Sequence, residues 1–218
     1  MLPARGLAIA RLAFAGVAVA AIVFQLVDLA NAGTLNPVNF FSYFTIQSNL
    51  IAVVALVLSA VAVLRGAGRR YDMLRGGAVV YMTVTGVVYG LLLSGADVDT
   101  GTNWVNIVVH KLMPIVIAVD WLLDPPAVAI PLRRSLVWVA YPLVWIAYTM
   151  TRGALTGWYP YPFLDPAPGG YGPVIVTTIV ILAAGIVLCL VAAAVGNALG
   201  ARRSPKAPGA PLEGSTAA

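Results

Sequence analysis

Apolar residues in this chain come in runs of about twenty, separated by short stretches rich in Gly, Pro, Arg and Asp. A run of that length is what an α-helix needs to cross roughly 30 Å of hydrocarbon. Six such spans are predicted, over about 7–30, 41–64, 74–94, 104–123, 135–150 and 173–199. The first has the outline of a signal peptide, with Arg5 and Arg11 ahead of the apolar run and Ala30-Asn31-Ala32 resembling a cleavage site. It is long for a secretory h-region and five spans follow, so it reads as an uncleaved helix. The expected fold is all-α: one polytopic transmembrane bundle of six helices over 1–200, followed by a disordered tail over 201–218. No internal repeat suggests the inverted halves of a transporter.

Composition agrees with a membrane protein and excludes a soluble domain: 61% of residues are apolar and 10% charged, and mean hydropathy is +0.92. The net charge of +5 does not point to nucleic acid, because the basic residues lie in small clusters between spans. Arg5, Arg11, Arg65, Arg69, Arg70, Arg75, Arg133, Arg134, Arg202, Arg203 and Lys206 fall on one side; Arg152, Asp97, Asp99 and Asp165 fall on the other. By the positive-inside rule both termini are cytoplasmic. Preference for Arg over Lys, with abundant Ala, Val and Gly, suggests a bacterial protein of the cytoplasmic membrane, with the bilayer as its partner. One Cys, Cys189, and one His, His110, give neither a disulfide framework nor a metal site, and no cofactor is expected.

Candidate chemistry centres on span four, which carries His110, Lys111, Asn106 and Asp120. Ionisable groups inside hydrocarbon are costly and mark functional sites. At ~1.5 Å of rise per residue, His110 lies at a depth comparable to that of Thr45 on span two. Tyr89, Tyr148, Arg152, Thr177 and Thr178 fall in the same outer half, which suggests a pocket open to the outer leaflet or outer aqueous face. Ser42, Thr45 and Asn49 are spaced to share one helix face, as are Asn106 and His110. Trp138, Tyr141, Trp145, Tyr148 and Arg152 form a stripe at heptad-like spacing, the pattern of an interhelical seam. Pro114 and Pro142 free backbone carbonyls and can kink their helices.

Plainer readings stand beside these. A threonine in a membrane helix commonly bonds to backbone, and His110 can be a neutral ring bonded across helices. Lys111 snorkels outward, and Asp120 pairs with Arg133 or Arg134 near the inner face. The loop 156–165, Thr-Gly-Trp-Tyr-Pro-Tyr-Pro-Phe-Leu-Asp, is either an interfacial aromatic belt or a lid that receives a lipid-like substrate.

Three segments together resemble the androgen-induced-protein family of membrane proteins: Phe44-Thr45 opening span two, Asn106-Ile-Val-Val-His110 followed by Met113-Pro114, and Gly157-Trp-Tyr-Pro-Tyr-Pro-Phe-Leu164. The similarity runs from the first span to the sixth, nearest to bacterial six-helix relatives. In the animal members the resemblance implies an integral-membrane hydrolase of fatty acid esters of hydroxy fatty acids. Carried over by position, Thr45 is the nucleophile and His110 its base, which suits a hydroxyl that needs an adjacent proton acceptor. Asn49, Asn106 and Tyr148 are candidates to stabilise the oxyanion or orient the ring. Arg152, Lys111, Trp158 and Tyr161 are candidates to bind substrate. The polar run Ile-Gln-Ser-Asn after Thr45 departs from the animal proteins, so Gln47 or Ser48 can share the site. No third carboxylate is evident beyond Asp28, Asp97, Asp99 and Asp165. The alternative is a non-catalytic protein that binds or moves a lipid or small solute, with His110 and Asp120 as proton-linked groups.

Overall fold

A computed structural model describes residues 4–67, 71–93 and 102–203. Arg69, Arg70, Asp97, Asp99, the end of span three and the tail with Lys206 lie outside the described residues. Within them the chain is all-helical, without strands. We number the helices α1 (Ala4–Asn31), α2 (Pro37–Ser42), α3 (Phe44–Leu64), α4 (Asp72–Leu93), α5 (Asn103–Leu123), α6 (132–156) and α7 (Tyr171–Ala201). Helices α1, α3, α4, α5 and α7 are long and apolar enough to cross a membrane, which makes this a polytopic membrane protein. Helix α6 runs through a 3₁₀ turn at Leu136–Val139, and its unbroken α-helical part, Ala140–Thr156, has 17 residues. It continues beyond the expected Met150 to Gly157, whose φ of 71° closes the helix with a bond to the Gly153 carbonyl; glycine takes that conformation without steric cost.

Span two differs from expectation in one respect that matters. The chain makes a short helix, α2, started by Pro37 and capped by the Asn36 side chain. It then breaks at Tyr43, which is extended at φ −65° and ψ 129°, and restarts at Phe44. Ser42 therefore does not share a face with Thr45 and Asn49. Its hydroxyl meets that of Tyr148 at 2.9 Å, while Thr45 and Asn49 face α5.

Helices α1 and α3 form the closest pair. On α1 the buried positions Ala8, Arg11, Ala15, Ala18, Ile22 and Gln25 recur at alternating intervals of three and four, a heptad seam. Small side chains there meet Ala52 and Ala55 of α3 and let the backbones approach, the common solution when lipid supplies no hydrophobic drive between helices.

The charged residue in that seam overturns one expectation. Asp120 does not pair with Arg133 or Arg134, both of which are exposed. It takes Arg11 Nε at 2.6 Å and Arg75 Nη2 at 2.8 Å. Arg11 also reaches Asp124 at 2.7 Å, and Arg75 reaches Asp72 at 3.2 Å. A carboxylate in the bundle interior is more favourably compensated by two arginines on adjoining helices than by one at the water boundary. Arg11 and Arg75 are thus interior groups as well as basic ends of their helices.

Candidate functional site

The restart of α3 exposes the first N–H groups of a helix, which have no intrahelical acceptor. Thr45 is in that first turn, and its N–H donates to the Tyr161 hydroxyl at 3.2 Å. The same phenol lies 3.2 Å from Thr45 Oγ1, and Thr45 Oγ1 lies 3.1 Å from His110 Nε2. Because Tyr161 already accepts the N–H, one consistent arrangement has it donate to Thr45 Oγ1, which donates in turn to His110. All three residues are buried. Burial pushes the Tyr161 phenol up, against the hydroxyl of Thr45 and the N–H groups of Thr45 and Phe44 that pull it down. It remains a neutral donor.

His110 is set by an irregularity in α5. Residues Val108–Leu112 form a π-turn, and such turns often accompany functional sites. Pro114 explains it. A proline ring inside a helix clashes with the carbonyl four residues back, here that of His110, and widening the turn relieves the contact. In the i→i+5 register Met113 N–H bonds Val108, and the donor for the Val109 carbonyl is residue 114, which has no N–H. Asn49 supplies it instead: its Nδ2 donates to Val109 O at 3.0 Å and to Thr45 O at 2.8 Å. One fully buried amide thus ties the Thr45 helix to the His110 helix.

The imidazole face is held too. Tyr89, in the π-helical last turn of α4, stacks on it at 4.3 Å and 21°. Asn106 Nδ2 donates to the Tyr89 hydroxyl at 2.9 Å. No side chain bonds His110 Nδ1. Gly86 lets α4 approach α5 here: a Cβ on it would stand 3.2 Å from Pro114 Cβ and 3.4 Å from the His110 carbonyl.

Of the expected residues, Thr45, His110, Asn49, Asn106 and Tyr161 come together, though Asn49 spends its donors on carbonyls and has none left for an oxyanion. Trp158 lines a cavity with Thr45 and His110. Tyr148 is 43% exposed and meets Ser42 rather than Thr45. Arg152 donates to Asn39 at 2.6 Å and covers the Trp158 ring at 4.7 Å, one layer behind the cavity wall. Lys111 is exposed, with Nζ 5.9 Å from the Tyr89 ring centre. Ser48 bonds Thr85 at 2.9 Å, and Gln47 takes the Tyr141 hydroxyl at 3.1 Å. Gly86 carries no mark in the sequence pattern, because its role follows only from the helix crossing. Tyr89 stands out in the sequence by its depth alone.

Two cavities meet at Thr45. One, of about 180 Å³, is lined by Gln25, Asn36, Asn39, His110 and Trp158 among others. The second, about 80 Å³, is almost wholly apolar and lies between α4, α6 and α7. No group of three or more His, Cys, Asp or Glu able to hold a metal ion occurs among the described residues.

Fold and site together define an all-helical membrane protein with a buried Thr–His–Tyr cluster where a polar and an apolar cavity adjoin. No family model, curated protein or solved structure matches the chain.

Proposed function

We propose that the protein is an integral-membrane hydrolase of lipid-like carboxylic esters with Thr45 as nucleophile. The observation that carries this reading is the 3.1 Å contact between Thr45 Oγ1 and the only imidazole in the chain, at the junction of a water-accommodating and an apolar cavity. His110 Nε2 takes the Thr45 proton as Oγ1 attacks the ester carbonyl. The oxyanion is met by the Tyr161 hydroxyl and the first N–H groups of α3, an electropositive helix end. His110 then gives the proton to the departing alcohol oxygen. Water, deprotonated by His110, attacks the acyl-threonine ester, releases the acid and returns the proton to Thr45. Tyr89, fixed by Asn106, holds the ring by its face; no side chain bonds Nδ1, where a carboxylate orients the imidazole in other triads. The family resemblance supports the same assignment.

In this reading α6 completes six spans, both termini face the cytoplasm, and the Thr45 end faces the outer side of a bacterial cytoplasmic membrane. The clustering of arginines between spans on one side supports that orientation. The non-catalytic alternative needs Asp120 to exchange protons, yet both of its carboxylate oxygens are held by arginines. The test is hydrolysis of a panel of fatty acyl esters by purified protein beside Thr45→Ala and His110→Ala. Each substitution should lower turnover by about a thousandfold or more without changing the helical spectrum. Wild-type turnover in either variant overturns the assignment.

A further inference from the structure

Thr45 lines the apolar cavity, whose walls also include Val84 and Val88 of α4, Ile146 of α6, and Ile181 and Gly185 of α7. No charged side chain lines it; of its four hydroxyls, Thr85 is engaged by Ser48 and Thr45 and Tyr161 by each other, and Thr178 is the fourth. Such a space offers water no set of partners; hydrocarbon is the occupant its chemistry fits. Along α7 the lining runs from Thr178 to Cys189, roughly 16 Å by helix rise. The enclosed volume, about 80 Å³, is smaller than a long acyl chain, so the chain is not sealed inside. Helix α7 packs against Leu136–Val139 and the turn at Pro162–Leu164, but hardly against the Ala140–Thr156 part of α6. Helix α7 also packs on α4, on residues 132–135 and on the end of α5, yet only 11% of its apolar window is buried.

We infer that this cavity is a chamber for one acyl chain, entered sideways from the bilayer between α6 and α7. The substrate is then a membrane-resident acyl ester. Its carbonyl stops at Thr45, its chain lies toward α7, and its alcohol occupies the polar cavity beside His110, where water also enters. The inference rests on the hydrolase reading for the chemistry at Thr45, but the chamber can be tested without turnover.

Gly185 gives the tool. A Cβ there meets nothing within 4 Å, so Gly185→Leu adds bulk to the chamber rather than to a packed seam; Val84→Phe narrows it from the opposite wall. Thr45→Ala protein in lipid nanodiscs would be irradiated with a palmitate carrying a diazirine near its tail, and the adducts mapped by mass spectrometry. Adducts are expected on chamber residues such as Ile146 and Ile181, reduced about tenfold by either filling substitution. Adducts confined to outward-facing positions such as Ile179 and Val187, or unchanged by both substitutions, overturn the chamber. In parallel, protein with Thr45 intact would be assayed on p-nitrophenyl esters from butyrate to palmitate, where Gly185→Leu should shift the preference to shorter chains. Chamber adducts without any ester turnover keep the chamber and remove the hydrolase reading. Turnover whose chain-length preference neither substitution moves removes the chamber and keeps the hydrolase.

Discussion

Thr45 and His110 fall at comparable depth on spans two and four, but only the family resemblance assigns them as nucleophile and base; their 3.1 Å contact is seen in the fold alone. Tyr161 was harder to place. It sits in a Pro-rich loop that carries no periodicity, so the sequence offers it, with Trp158, as a substrate-binding candidate and carries no sign that it meets Thr45. Only the fold shows its hydroxyl taking the Thr45 N–H and meeting Oγ1 at 3.2 Å. That geometry makes a sharp prediction. Tyr161→Phe keeps the ring, which stacks on Phe163 at 5.3 Å, and removes one donor to the developing oxyanion. Turnover should fall by about a hundredfold with KM nearly unchanged, measured on the best ester of the panel. A phenol that serves only as packing would leave kcat where it was.

At the scale of the helix, the sequence marked Pro114 as a source of freed carbonyls but not which carbonyl, nor what would satisfy it. The answer depends on register. An ordinary α-turn leaves the carbonyl of His110 without a donor, whereas the observed π-turn transfers the deficit to Val109, where Asn49 from α3 reaches it at 3.0 Å. A period of 3.6 residues cannot foretell such a turn, just as it did not foretell the break at Tyr43 that turns Ser42 away from Thr45. The coupling is measurable. Asn49→Leu should destabilise the protein by roughly 1–2 kcal/mol, because it strands a buried acceptor. Pro114→Ala restores an N–H at the position that can serve Val109. In that background Asn49→Leu should cost less, and a double-mutant cycle on unfolding in a denaturing detergent reads the difference. Strict additivity would mean that Asn49 and Pro114 do not answer the same carbonyl.

Across the whole molecule the chemistry is segregated. The Thr45–His110 cluster occupies one end of the bundle, and the Arg11–Asp120–Arg75 cluster lies ten residues along α5, roughly 15 Å away by helix rise. The apolar runs made the bundle legible, and the alanines of α1 made its tightest seam legible in principle. Arg11 falls in register with Ala8, Ala15 and Ala18, so it had to enter that seam, although a count of basic residues by side treats it as a surface charge. Its burial fixes what the second cluster does. Arg11, Arg75 and Asp120 join α1, α4 and α5 through contacts of 2.6 to 3.0 Å, and removing the shared carboxylate takes the central anion from two buried guanidinium groups, leaving Arg11 only Asp124 and Arg75 only Asp72 and Asp124. Asp120→Ala should therefore cost about 3–5 kcal/mol of stability, seen as a lower unfolding midpoint in detergent. Turnover per folded molecule should stay near wild type, because no atom of that cluster touches Thr45 or His110. A proton-linked carrier requires the opposite pattern, with function lost and its pH dependence abolished while the fold survives. The ratio of lost stability to lost activity in this one variant thus separates a clamp that holds the helices together from a group that takes part in the work.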